Sequence, residues 1–258
     1  MQDLKVTIVQ ATQVWENKQA NLAHFENLLA NVGETDIIVL PEMFHTGYSM
    51  NAEALAEEME NSLALNWLQK MAAEKNVAFY TSFIARDHDY YFNRGVFVEP
   101  NGKYTHYDKR KLFTLAGEEK TYKPGHVKTR VIYKDWRIQL QICYDLRFPE
   151  ISRNGMRDYQ SSKYDVLIYV ANWPERRNTH WKSLLTARAI ENQCYVVGVN
   201  RVGEDGKGLV YSGDSAVINA YGETVSTVKA HEESIETIVL SAENLHQIRT
   251  QLAFLKDI

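Results

Sequence analysis

Three side chains of this 258-residue sequence have the chemistry for covalent acyl transfer: Glu42, Lys109 and Cys143. A thiol attacks as its thiolate and has an ordinary pKa of about 8.5, so it needs a base or a nearby cation. Glu42 can take the thiol proton, while Lys109 can stabilise the thiolate and then the oxyanion of a tetrahedral intermediate. The backbone N–H of Tyr144, the next residue, can donate to the same oxyanion. These residues predict nucleophilic catalysis that uses neither histidine nor a metal.

Each of these residues also has a purely structural interpretation. A cysteine at the end of a strand is commonly a small buried apolar residue, and Cys194 is expected to be one. Glu42 follows a proline and can cap the next segment. Lys109 belongs to a Lys-Arg-Lys run, which is typical of a solvated loop. The residues taken singly therefore leave both interpretations open.

The candidate residues share one position in the predicted secondary structure, because each follows the C-terminal end of a strand. Glu42 follows the predicted strand 37–40, and Lys109 follows the strand 103–107. Cys143 follows the strand 137–142, and Asn172 follows the strand 165–171. Open α/β sheets bind ligands at this edge. If the strands run parallel, the four side chains meet in one crevice.

The rest of the chain alternates short β-type runs with amphipathic segments. Helices are predicted over residues 17–30, 62–75, 242–252 and from just after 174 to about 193, with a shorter helix over 149–159. The remaining strands are predicted over 4–10, 77–84, 92–98, 130–133, 195–199, 215–219 and 235–240, with a hairpin turn at 204–206. This alternation predicts an α/β or mixed α+β sheet domain.

The composition is that of an ordinary globular protein. Apolar residues make up 45%, and the net charge of −4 argues against a general nucleic-acid surface. The longest clean apolar run, residues 166–171, is far shorter than the roughly 18 residues of a membrane span. No signal-peptide pattern opens the sequence, and two cysteines are too few for a disulfide scaffold. We therefore expect one domain over residues 1–258, in a reduced cytoplasmic protein without membrane or nucleic-acid partners.

Motifs for metals and nucleotides are not found. The eight histidines form no HExxH motif and neither cysteine has a CxxC partner, so no metal site is predicted. The glycine-rich stretch 203–208 lacks both the Walker ending and the GxGxxG spacing. A hairpin turn is the better interpretation of that stretch.

Three motifs, in this order and at these spacings, resemble the nitrilase superfamily of carbon–nitrogen hydrolases. They are LPEMF at residues 40–44, YDKRKLF at 107–113 and ICYDLRFPE at 142–150. Further similar blocks lie at 171–174, 180–181, 187–193, 213–215 and 222–223, so the resemblance spans nearly the whole chain. It favours the catalytic interpretation of Cys143.

The resemblance implies a four-layer α-β-β-α sandwich that needs no cofactor and forms a homodimer through its helical faces. It makes Glu42 the general base, Lys109 the cation that stabilises the intermediate, and Cys143 the nucleophile. A second glutamate shortly after the lysine is matched best by Glu118, with Glu119 as the neighbouring alternative. One departure is a lysine at position 111, where the family often has histidine.

Within the superfamily the chain is most similar to bacterial omega-amidases, which implies a small 2-oxo acid amide such as 2-oxoglutaramate or 2-oxosuccinamate as substrate. Its carboxylate would need a cation. The candidates for binding substrate are Tyr144, Asn172, Arg177, Arg176 and Lys111, with Phe44, Phe113 and Trp173 as apolar walls or core aromatics. The alternatives are a nitrilase, a carbamoyl- or ureido-type amidase, and an inactive binding protein.

Overall fold

Two β-sheets lie at the centre of the molecule. The computed structural model describes residues 1–158 and 161–258. The strands are β1 (Leu4–Gln10), β2 (Ile37–Val39), β3 (Glu57–Glu58), β4 (Ala78–Asp87), β5 (Tyr90–Val98), β6 (Tyr104–Asp108), β7 (Arg130–Tyr133), β8 (Trp136–Ile142), β9 (Met156–Asp158), β10 (Ser161–Ser162), β11 (Val166–Ala171), β12 (Tyr195–Asn200), β13 (Val202–Glu204), β14 (Val210–Ser212), β15 (Ala216–Ile218) and β16 (Ser234–Leu240).

The described helices comprise four long ones and several single turns. The α-helices are α1 (Lys18–Leu29), α2 (Ala52–Leu55), α3 (Leu63–Lys75), α4 (Glu118–Thr121), α5 (Pro149–Ser152), α6 (Asn178–Asn192) and α7 (Ala242–Gln251). Short 3-10 turns lie at Met59–Asn61, Thr114–Ala116, Cys143–Arg147, Glu175–Arg177 and Phe254–Asp257. Among the described residues, no helix has the length and apolar character needed to cross a membrane.

The directions of the strands settle where their ends meet. The first sheet has the order β16-β1-β2-β4-β5-β6, with β3 paired to β4. Strands β1, β2 and β4 are parallel, and β6 has the same direction because β5 is antiparallel to both its neighbours. The second sheet has the order β15-β12-β11-β8-β7, in which β8, β11 and β12 are parallel. In the first sheet, the strands before Glu42 and Lys109 therefore run in the same direction. In the second sheet, the strands before Cys143 and Asn172 do so as well.

The sheets pack face to face, and helices cover their outer faces. Ile8 of β1 and Tyr80 of β4 share one buried core with Leu140 of β8. On the far side of the first sheet, α1 and α3 pack on it. On the far side of the second, α6 lies so close that a β-carbon at Gly198 would be 2.6 Å from Leu185. The predicted α-β-β-α sandwich is confirmed.

The long helices begin close to where the sequence predicts them, and three of the four, α1, α3 and α7, start at a side-chain cap. The side chain of Asn17 accepts a hydrogen bond from Ala20 N–H at the start of α1, and Ser62 does the same for Leu65 N–H at the start of α3. Helix α3 ends at Asn76, whose backbone is left-handed with φ +54°. Apolar residues at helical spacing, such as Leu65 and Leu68, are buried against the sheet.

The helix predicted over residues 149–159 is wrong beyond its first turn. Helix α5 ends at Ser152, and the chain continues into β9, which pairs with β10. Asn154 explains the break, because its backbone N–H donates to Asn192 Oδ1 at 2.8 Å instead of to a helical carbonyl. The last predicted position, Tyr159, lies outside the described residues.

Candidate active site

The Glu42 carboxylate lies beyond the end of β2 and is fully buried. Its Oε1 accepts hydrogen bonds from Lys109 Nζ at 3.1 Å and from Asn93 Nδ2 at 2.7 Å. Its Oε2 accepts the backbone N–H of Asn172 at 2.8 Å. Residues from both sheets therefore fix the orientation of this carboxylate.

The Lys109 ammonium joins two buried glutamates. Besides Glu42, its Nζ contacts both carboxylate oxygens of Glu118, at 2.9 and 3.0 Å. Burial by itself lowers the pKa of Lys109, but the charges of Glu118 and Glu42 outweigh it and hold that pKa well above its ordinary value. The lysine therefore remains a cation throughout the physiological pH range.

Of the two adjacent glutamates, the structure places Glu118 at the site. Glu118 is fully buried in α4, whereas the side chain of Glu119 is exposed. Glu118 also accepts the backbone N–H of Phe113 at 2.5 Å, so it links the lysine to the loop that carries this aromatic ring.

Cys143 lies at the end of β8, where the chain enters a 3-10 turn with a positive φ of +42°. A left-handed backbone is unusual for a residue other than glycine, and such strain is concentrated at functional sites. The side chain is 8% exposed, and Sγ lies 3.9 Å from the carbonyl oxygen of Asn172. Burial raises the pKa of the Cys143 thiol well above its ordinary value, and Glu42 raises it further against the opposing effect of Lys109. At neutral pH the thiol is protonated and needs a base.

Asp145, which the sequence analysis did not single out, fixes the turn that holds the thiol. It is buried and accepts hydrogen bonds from Ile142 N–H at 3.0 Å, Lys111 N–H at 2.9 Å and the Tyr107 hydroxyl at 2.7 Å. Burial raises the pKa of Asp145 to about 6, although these donors partly oppose the shift. Asp145 thus ties the Cys143 turn to the segment that carries Lys109. The sequence signal that could have identified Asp145 is its position inside the motif that contains Cys143.

A cavity of about 220 Å³ opens next to the thiol. Its walls include six of the eight candidates for binding substrate: Tyr144, Asn172, Trp173, Arg176, Arg177 and Phe113. The aromatic ring of Phe113 lies 4.9 Å from that of Tyr144.

Phe44, another of the candidates for binding substrate, does not line the cavity. Its ring is fully buried on the helical side of the first sheet, 5.7 Å from Phe25 and 5.6 Å from Trp67. The prediction that Phe44 contacts substrate is therefore corrected: Phe44 is a core aromatic residue, which was the alternative interpretation. The preceding residue, Met43, has a positive φ of +46°, and this turn separates Phe44 from Glu42.

The mouth of the cavity is rich in cations. Arg176, Arg177, Lys207 and a residue that the sequence analysis missed, Arg147, all line it. The Arg147 guanidinium lies 4.6 Å from the centre of the Trp173 ring, and that of Arg177 lies 5.1 Å from the centre of the Phe113 ring. Within residues 1–158 and 161–258, neither guanidinium has an ion pair.

Lys111, the remaining cation predicted to contact substrate, is engaged elsewhere. Its Nζ pairs with Glu150 at 3.0 Å and lies over the Phe148 ring, and it is not part of the cavity wall. The described part of the chain also contains no group of three or more His, Cys, Asp or Glu side chains arranged to hold a metal ion.

Comparison with known proteins agrees with this architecture. The carbon–nitrogen hydrolase family model matches residues 5–250. The omega-amidase YafV of Escherichia coli (strain K12) is 43% identical over 257 residues, covering 100% of this chain and 97% of that protein. A 2-oxoglutaramate amidase of Bacillus subtilis (strain 168) is 32% identical over 226 residues, covering 86% of this chain and 85% of that protein.

Among solved structures, a CN-hydrolase superfamily protein from Xanthomonas campestris, which carries an arsenic adduct in its active site, superposes with a TM-score of 0.97. It is 38% identical and covers 100% of this chain and 98% of that one. The chain therefore belongs to the carbon–nitrogen hydrolase family of the nitrilase superfamily.

Proposed function

We propose that this carbon–nitrogen hydrolase cleaves the terminal amide of small 2-oxo acid amides, 2-oxoglutaramate and 2-oxosuccinamate, to the 2-oxo acid and ammonia. The observation that carries the proposal is the Cys143 thiol in the wall of a cavity whose mouth bears Arg147 and Arg177, which have no ion pair among the described residues. The names of the omega-amidase and 2-oxoglutaramate amidase relatives support the choice of substrate.

Acylation begins when Glu42 removes the proton of the Cys143 thiol. The thiolate attacks the amide carbon, and a new C–S bond forms while the carbonyl oxygen becomes an oxyanion. Lys109 and the backbone N–H of Tyr144 stabilise that oxyanion. Glu42 then gives its proton to the amide nitrogen, the C–N bond breaks, and ammonia leaves a thioester on Cys143.

Deacylation uses the same groups with water as the nucleophile. Glu42 takes a proton from water as the oxygen attacks the thioester carbon. The C–S bond breaks, and Glu42 returns the proton to the Cys143 thiolate. The 2-oxo acid is released and the resting thiol is restored, so that one water is consumed for each amide cleaved.

The substrate carboxylate is assigned to the cationic mouth of the cavity. Arg177 and Arg147 are half-buried, have no carboxylate partner among the described residues, and lie against aromatic rings that limit their movement. A guanidinium can bind a carboxylate through two parallel hydrogen bonds. Phe113 and Trp173 then contact the methylene groups between the carboxylate and the amide.

The test is ammonia release from 2-oxoglutaramate, a nitrile of similar size and a carbamoyl amino acid, with the wild type and Cys143→Ala. We expect the 2-oxo acid amide to be the fastest substrate and Cys143→Ala to be inactive. Cys194→Ala is the matched control, since Cys194 is fully buried in the core away from the cavity. Faster turnover of the nitrile or the carbamoyl compound would reject the proposed substrate, and an active Cys143→Ala would reject the thioester.

A further inference from the structure

His180 lies in the first turn of α6, next to a tryptophan that is fixed in the core. Trp181 is fully buried, and its Nε1 donates to the Asp214 carbonyl oxygen at 2.8 Å. His180 itself is exposed, and its Nδ1 lies 3.2 Å from Nη2 of Arg147. This contact joins α6 to the mouth of the cavity, which Arg147 lines.

The chemistry of the two groups decides which one donates in this contact. A guanidinium carries only N–H donors and has no acceptor atom. Nδ1 of His180 is therefore the acceptor, and the proton of the neutral ring is on Nε2. Within the part of the chain that the structure describes, His180 is the hydrogen-bond partner of the Arg147 side chain. The other N–H groups of this guanidinium remain available to a ligand.

Two aromatic rings hold the same guanidinium in place. Its Cζ lies 4.6 Å from the centre of the Trp173 ring and 5.9 Å from the centre of the Tyr144 ring. Trp173 is fixed in turn, because its Nε1 donates to the backbone oxygen of Arg177 at 2.8 Å. A ring attracts a cation without fixing the direction of its N–H groups. The hydrogen bond to His180 is thus the contact that orients the Arg147 guanidinium.

Arg147 and the nucleophile belong to one short segment of the chain. Cys143 begins the 3-10 turn Cys143–Arg147 and Arg147 ends it, and both residues line the cavity. Tyr144, whose ring contacts Arg147, directly follows Cys143 and lines the cavity as well. Arg147 is half-buried, so it keeps surface that a substrate can reach. The turn therefore carries the attacking thiol at one end and a guanidinium at the other.

We propose that His180 is a positioning residue, which orients the Arg147 guanidinium so that its remaining N–H groups bind the substrate carboxylate. The inference rests on the proposed function, because it needs a substrate with a carboxylate at the end opposite to the amide. Orientation matters since a guanidinium binds a carboxylate best through two parallel hydrogen bonds. Without His180, Arg147 stays at the mouth but takes other orientations. Binding of the carboxylate is then weaker, while the chemistry at Cys143 is unchanged.

The experiment measures KM and kcat for 2-oxoglutaramate and for 4-oxopentanamide, in which a methyl group replaces the carboxylate. For His180→Leu we expect KM for 2-oxoglutaramate to rise about three- to tenfold, as for a lost hydrogen bond to a partly exposed charged group, with kcat unchanged. KM for 4-oxopentanamide should stay at its wild-type value. His180→Asn keeps an acceptor oxygen near the position of Nδ1, so this variant should resemble the wild type.

A double-mutant cycle with Arg147→Met shows whether His180 acts through Arg147. If it does, adding His180→Leu to the Arg147→Met protein causes no further rise in KM for 2-oxoglutaramate. His246→Leu is the matched control, since His246 is exposed on α7 and is not part of the cavity wall. This control should keep the wild-type KM for both substrates, and thermal unfolding of each variant shows that it is folded.

The inference and the proposed function fail in different ways. An unchanged KM for 2-oxoglutaramate in His180→Leu, an equal rise for both substrates, or the same rise in the Arg147→Met background overturns the role of His180 alone. A His180→Asn variant as impaired as His180→Leu does so too. A wild type that hydrolyses 4-oxopentanamide as efficiently as 2-oxoglutaramate overturns the proposed substrate, and the role of His180 with it.

Discussion

Replacement of Lys109 by methionine tests the centre of the site most directly. Methionine keeps most of the length of the lysine stem, so the change removes the charge with little loss of packing. In the wild type, Nζ contacts Glu42 at 3.1 Å and Glu118 at 2.9 Å, and all three side chains are buried. The variant therefore leaves two buried carboxylates without their shared cation.

Two effects of this change have separate magnitudes. Breaking a buried ion pair by removing one partner lowers the free energy of unfolding by about 3–5 kcal/mol. Loss of an oxyanion donor raises the activation free energy by about 3–4 kcal/mol, which is a fall in kcat of about 100- to 1,000-fold.

The assays are denaturant unfolding and kcat for ammonia release. Lys111→Met is the matched control, since its Nζ pairs with the exposed Glu150 and a surface pair contributes at most about 1 kcal/mol. We expect this control to stay close to wild type in both assays. A folded Lys109→Met variant with less than a tenfold fall in kcat would refute the assigned role of Lys109.

Three more predictions follow from contacts at the site. Glu118→Gln should lower kcat at least about tenfold because it removes a charge that holds Lys109, whereas Glu119→Gln should be neutral, and equal kcat values in the two variants would contradict the assignment. Arg177→Met should raise KM for 2-oxoglutaramate about tenfold or more, with little change in KM for an uncharged amide. Added salt should lower kcat/KM for the anionic substrate only. Equal effects on both substrates would exclude a carboxylate site at the mouth of the cavity. Iodoacetamide should alkylate Cys143 before Cys194, since Cys143 borders the cavity while burial of Cys194 raises its pKa to about 12. The alkylation rate at Cys143 should keep rising with pH above the ordinary thiol pKa of about 8.5. Mass spectrometry that finds Cys194 modified first would point to an inactive site.

The positions of the main elements could be predicted from sequence because hydrophobic period and capping residues are local signals. Strand ends then identified Glu42, Lys109, Cys143 and Asn172 as neighbours, subject only to strand direction. Direction is set by long-range pairing, which a single sequence does not contain. The structure provides it through the parallel pairs of β1 with β2 and of β8 with β11.

The residues that prediction missed depend on tertiary geometry. Phe44 is two positions from Glu42, yet the positive φ of Met43 directs it to the opposite side of the sheet. Arg147 lies inside the motif at 142–150 and Tyr48 lies a few residues after the motif at 40–44, but only the fold shows that they border the same cavity. The end of helix α5 is likewise decided by Asn192, a partner 38 residues away from Asn154.

The contacts of Lys109 with two glutamates have a consequence for the flow of charge during turnover. With both carboxylates ionised, the lysine, the two glutamates and the protonated thiol carry a total charge of −1. In the proposed mechanism, that total is unchanged when the proton moves to Glu42, when the oxyanion forms, and when ammonia leaves. The proton that leaves with ammonia is replaced by one from the attacking water, so the buried site never has to absorb or release a net charge. The proposed reaction can therefore proceed among buried side chains without a change in the net charge of the site at any step.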